Sequence, residues 1–199
     1  MTFMIKMRYI LIFFFLYSCQ SIPYSQFPII IKSSIYGAED IAINDSLLAE
    51  KKFSFIKVRF GKEFIALLSL VSIDNNIFEW ISTTGEKIFT YNGKVIRTFG
   101  LVHNTNIYSF EDFSCLISDK TPLNYDVMLE DPKAFITQSA LISIDSLETE
   151  NCYEEVATNE FKWNFKNQYI YNQAGLPIST FQSIHPMLPR VEINFFYKY

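Results

Sequence analysis

Six glycines and two histidines among 199 residues leave little material for two common kinds of chemistry. Phosphate-cradling loops need several glycines close together, and the chain has no such loop, no G-x-S-x-G elbow and no H-E-x-x-H pair. His103 sits in the polar run Val102-His103-Asn104-Thr105-Asn106 and His185 precedes Pro186. Both positions read as turns, where histidine serves as a surface or hydrogen-bonding residue rather than a base. Only three cysteines are present, without a C-x-x-C spacing, and the histidines lie far from Cys115 and Cys152 in sequence, so no metal site is expected. No cofactor is expected either. Acidic residues outnumber basic ones, 21 to 17, which argues against nucleic-acid partners.

What the chain does have begins at its amino terminus. Lys6 and Arg8 lead into an apolar run, Tyr9 to Leu16, that is too short to span a bilayer as a helix and ends in Leu16-Tyr17-Ser18-Cys19. A basic leader, a short apolar stretch and a small residue directly before cysteine form the pattern of a bacterial lipoprotein signal. Residues 1–18 are therefore expected to be a signal peptide, with Cys19 the lipidated first residue of the mature chain, carrying palmitate-type acyl chains that make a stable anchor. Gln20, rather than Asp, after the cysteine points to the outer membrane and its periplasmic face. Loss of Lys6 and Arg8 leaves 15 basic residues against 21 acidic ones, a net charge of about −6. With Cys19 committed to lipid, Cys115 and Cys152 either form a disulfide in the oxidising periplasm or remain as buried thiols.

Residues 19–42 read as a lipidated tether and 43–199 as a single β domain. Asp45 to Glu50, behind Asn44, carries a capping residue, an early acid and helix formers, which predicts one short helix. Thereafter strands dominate, as 20 Phe and 12 Tyr would favour. Phe64 to Val71 is apolar on both faces and predicts a strand covered on each side. Glu86–Tyr91 and Lys94–Phe99 flank Asn92-Gly93, the preferred pair for a type I′ hairpin, in a register that sets Phe89 opposite Ile96 and Thr90 opposite Val95. Further strands are expected at 77–82, 107–117, 134–147, 160–165 and 168–171. Val191, Ile193, Phe195 and Tyr197 alternate with polar residues in a half-buried C-terminal strand. The spacing predicts an all-β antiparallel meander folded into a half-barrel or sandwich.

Glu154-Glu155 is the one acidic pair that invites thoughts of sugar chemistry. Neighbours on a strand point to opposite faces, so the two cannot aim at one bond, and a solvated charge pair is expected. No catalytic residue is assigned. Trp80, Trp163, Tyr169 and Tyr171 are of types that stack on sugar rings and are the candidate glycan-stacking positions.

Two groups of segments carry a resemblance. Val58-Arg59-Phe60-Gly61, Trp80-Ile81-Ser82 and Asn92-Gly93-Lys94-Val95-Ile96-Arg97-Thr98 with Gly100-Leu101 form the first. Asn167-Gln168-Tyr169-Ile170-Tyr171-Asn172, Gly175, Thr180-Phe181-Gln182 and Pro186 form the second. In this combination, with the lipidation signal, the chain resembles the YjbF/GfcB family of lipoproteins, encoded with exopolysaccharide and group 4 capsule secretion genes. The family has Trp, Asp and Ser where this chain has Ile170, Asn172 and Thr180. The resemblance implies a β meander anchored by lipid at the outer membrane, no enzymatic activity, and a role in polysaccharide production or secretion, with the polysaccharide or an outer-membrane export protein as partner. A periplasmic lipid or glycolipid carrier, cradling its cargo in an apolar half-barrel cavity, is the rival expectation.

Overall fold

In a computed structural model, residues 40–62, 64–111, 113–114, 122–145, 150–158 and 162–198 are described. The expected signal peptide, Cys19 and most of the expected tether lie outside them. The domain opens with α1 (Asp45–Glu50), which starts where Asn44 Oδ1 accepts from Leu47 N at 2.9 Å, satisfying an otherwise orphaned amide. Asp40, just before it, is pinned to Lys57 at 2.5 Å and Arg59 at 2.9 Å.

Twelve strands follow: β1 (Phe55–Phe60), β2 (Phe64–Asp74), β3 (Ile77–Ile81), β4 (Lys87–Tyr91), β5 (Lys94–Phe99), β6 (Thr105–Tyr108), β7 (Leu123–Leu129), β8 (Ala134–Asp145), β9 (Glu150–Thr158), β10 (Phe165–Tyr171), β11 (Pro177–Gln182) and β12 (Val191–Phe196). Each pairs antiparallel with its neighbour in sequence, as a meander should. The ring closes through β1 and β12, Phe55 opposite Phe196 through to Phe60 opposite Val191. The fold is thus a closed barrel, and the expected half-barrel or sandwich is corrected. Closure satisfies the two edges that an open meander would leave bare, and it depends on a pairing between the chain's ends that no local pattern encodes.

A twelve-strand ring is wide, yet among the described residues this one is drawn together across its middle. β5 and β11 stand opposite each other, with five strands between them in either direction. Gln182 at the end of β11 nevertheless bonds β5 directly: its Oε1 accepts from Val95 N at 2.9 Å and its Nε2 donates to Gly93 O at 2.7 Å. Each side of this bridge has its own core. One, on β1–β5 and β12, holds Ile56, Val58, Leu68, Trp80, Ile88, Val95 and Ile193. The other side, on β7–β10, holds Tyr125, Val127, Leu129, Ile136 and Val156, with Phe113, Cys152 and Tyr169 beside them.

Local details depart from expectation for physical reasons. The β4–β5 turn is left-handed at Asn92 (φ 48°) and Gly93 (φ 80°), as type I′ requires. A bulge then places Phe89 opposite Arg97 rather than Ile96, while Thr90 does face Val95. β2 is only partly covered: Phe64, Val71 and Ile73 are exposed, so its double-faced apolar run does not mark a central strand. β6 is four residues long, against the longer strand expected over 107–117.

Candidate functional site

The hairpin end at Asn92-Gly93 is the structural focus of the interior. Lys94, Val95 and Ile96 are all buried, so this end of β5 is covered on both of its faces. Tyr171 OH donates to Asn92 O at 2.7 Å, and Asn92 Nδ2 donates to Phe113 O at 3.2 Å. Gly93 packs so tightly against β11 that a Cβ there would lie 2.8 Å from Pro177 Cβ.

Lys94 reaches from this end to Glu154 on β9, and both side chains are essentially sealed from solvent, 2% and 0% exposed. The carboxylate is fully occupied. Its Oε1 accepts from Lys94 Nζ and from Tyr125 OH (2.9 Å), its Oε2 from Tyr169 OH (2.8 Å) and Asn167 Nδ2 (2.9 Å). Lys94 Nζ also donates to Tyr125 OH at 2.9 Å and lies 4.0 Å from that ring's centroid. Asn167 Oδ1 accepts in turn from Ser183 N at 2.8 Å. Burial pushes the Glu154 pKa up, but the Lys94 charge and these hydrogen bonds outweigh it and hold the carboxyl below its ordinary value. Burial lowers the Lys94 pKa, against the pull of Glu154, and raises those of Tyr125 and Tyr169.

A carboxyl whose folded pKa is depressed contributes stability that is present above its unfolded value, here 4.5, and lost as pH falls through the folded pKa. The urea midpoint is therefore expected to hold near neutrality and fall below about pH 4.5. In Glu154→Gln, already destabilised, that acid limb should be shallower. An acid limb equally steep in both proteins would remove Glu154 from this role.

Enclosure determines what the network can do. The space beside Lys94, Tyr125 and Gln182 amounts to about 10 Å³, room for at most one water. The network therefore binds the two halves of the barrel together rather than receiving a substrate. Glu154 corrects the expectation of a solvated acidic pair: Glu155 is exposed, but Glu154 faces inward. The alternation Cys152, Glu154, Val156, apolar on either side of the acid, was the available signal.

Three of the four candidate glycan-stacking rings are also interior. Trp80 is buried and donates to Thr90 Oγ1 at 2.9 Å, Tyr169 belongs to the Glu154 network, and Tyr171 is buried at the hairpin end. Their faces are taken by the core, which corrects that assignment. Trp163 is half-buried against Phe165. Cys152 is buried and disulfide-bonded, while Cys115 lies outside the described residues. His103 and His185 are brought together, their rings stacked 5.0 Å apart. His185 Nδ1 accepts from Met187 N at 3.1 Å, and burial followed by the His103 imidazole keeps its pKa low. Its Nε2 is buried and closes no standard hydrogen bond. Among the described residues, no group of three or more His, Cys, Asp or Glu side chains could hold a metal.

The outer surface has a groove where the ladder is weakest. β5 and β6 are joined by one pair, Arg97 opposite Asn106, and the seam opens to a volume of about 330 Å³ lined by both strands and by Lys87, Phe89, Met128 and Glu130.

The two segments that carried the family resemblance are the two that meet inside the barrel, Asn92 to Val95 from one and Asn167 to Gln182 from the other. A family model described as group 4 capsule polysaccharide lipoprotein gfcB, YjbF, matches residues 30–196. Among solved structures, the chain is similar to the hypothetical lipoprotein YmcC from Escherichia coli (K12), with TM-score 0.71 and 17% identity over 85% of this chain and 95% of that one. At that identity the likeness speaks for the fold. A search of curated proteins gave no match. With the family model spanning the barrel and both of its interior signature segments, the chain belongs to the YjbF family of capsule polysaccharide lipoproteins.

Proposed function

We propose that this protein is a non-enzymatic lipoprotein of the outer membrane, facing the periplasm, that assists export or assembly of an exopolysaccharide or capsule through contacts with the glycan or an export partner. The match of the capsule lipoprotein family to residues 30–196 carries the reading. The packed interior supports contact over carriage, since a lipid or glycolipid carrier needs an internal cavity of several hundred Å³. Deleting the gene should lower surface and secreted polysaccharide, and a wild-type copy should restore it where a Cys19→Ala copy does not. Unchanged polysaccharide in the deletion strain, under conditions where the parent makes it, would remove this reading.

The same reading fixes the cysteines: Cys19 is consumed by lipid, and Cys115 is the disulfide partner of Cys152. Denatured mature protein is expected to show no free thiol before reduction and two after it. Free thiols before reduction would contradict the pairing.

A further inference from the structure

Resting on that reading, we infer that the outer groove at the β5–β6 seam is a binding site for an acidic saccharide, with Arg97 receiving its carboxylate. Three features point to this class of ligand. Phe99 is 64% exposed at the groove, a flat apolar face of the kind on which a pyranose ring stacks. Arg97 lies beside it, exposed, its guanidinium 4.0 Å from the Phe89 ring centroid. That contact holds the guanidinium in place, and among the described residues Arg97 closes no direct ion pair, although its charge is felt at the Glu79 carboxylate. The other groove cation, Lys87, is paired directly to Glu79 at 2.7 Å, so Arg97 is the groove cation without a direct ion pair.

The third is the polar rim, where the Asn106 amide and the Glu130 carboxylate, the latter accepting from Asn104 Nδ2 at 3.1 Å, can bond ring hydroxyls. Arg97 with Glu130 and amides between them matches a sugar bearing one carboxylate and several hydroxyls. A neutral apolar ligand would leave these groups unpaired, and a multiply charged phosphate would crowd Glu130.

Purified full-length protein in detergent is titrated with a tetrasaccharide of alternating glucuronate and N-acetylglucosamine, and with neutral cellotetraose, by calorimetry. The acidic probe is expected to bind more tightly than the neutral one. Arg97→Ala should weaken it about tenfold, as expected for a lost charge-assisted bond. Both Arg97 and Phe99 are exposed, so their alanine variants should melt as the wild type does. Phe99→Ala removes the stacking face without touching the interior and should also weaken the acidic probe. Equal affinity for both probes, no binding, or Arg97→Ala and Phe99→Ala titrating as wild type would overturn the groove. A deletion strain that still loses polysaccharide would leave the broader function standing in that case.

Discussion

Lys94→Met is expected to destabilise the domain by about 3–5 kcal/mol, because it strands the Glu154 carboxylate in the barrel without its counter-charge. For a domain of this size that corresponds to a melting temperature lower by roughly 10 °C. The penalty arises from desolvation. Glu154 was taken fully out of water on folding, and Lys94 is the cation that compensates, with Tyr125, Tyr169 and Asn167 satisfying the remaining lone pairs. Removing the charge at both ends should be milder than removing one. Lys94→Met combined with Glu154→Gln is expected to recover part of the loss, giving a coupling of more than about 1 kcal/mol in a double-mutant cycle. Urea denaturation of the four proteins measures it. Independent, additive effects would show that the pair is not a unit.

Gly93→Ala is the second large effect, expected at about 2–4 kcal/mol from left-handed backbone strain plus overpacking. At φ 80° the residue already disfavours a side chain, and the added carbon would meet Pro177 at 2.8 Å, forcing β5 and β11 apart where Gln182 joins them. Gly85→Ala is the control. Gly85 also has positive φ, 100°, but open space around it, so its substitution should cost only the backbone strain, about 1–2 kcal/mol. Equal losses in the two variants would mean that the close approach across the barrel contributes nothing.

These two sites also mark how far the sequence could be read. The helix behind Asn44, the Asn92-Gly93 turn and the alternating C-terminal strand were legible because each depends on residues within one turn or one strand. The closure of β1 on β12 was not, since it joins residues more than a hundred positions apart and both strands look like any half-buried strand. Lys94 read as the ordinary first residue of a hairpin strand; nothing within β5 tells that its charge would be swallowed. Its counterpart was partly legible in Cys152, Glu154 and Val156, where an acid shares a face with apolar neighbours, a pattern that signals a buried carboxylate with a partner elsewhere. Aromatic residues misled for the opposite reason. Trp80 and Tyr169 have the chemistry to stack on a sugar, but the interior of a wide barrel needs large side chains to fill it, and that need claimed them. Phe99, by contrast, stands outside at a seam that exists only because β6 is short and joined to β5 by one pair.

The central claim is that the interior builds the molecule and the outer surface does its work. It is tested most directly by complementing a gene deletion with two variants at matched membrane levels and measuring secreted and surface polysaccharide. Tyr169→Phe, which removes one interior hydrogen bond to Glu154, should restore polysaccharide fully, and Arg97→Ala, which leaves the interior untouched, should not. Full restoration by Arg97→Ala alongside failure of a folded, membrane-bound Tyr169→Phe would contradict the account.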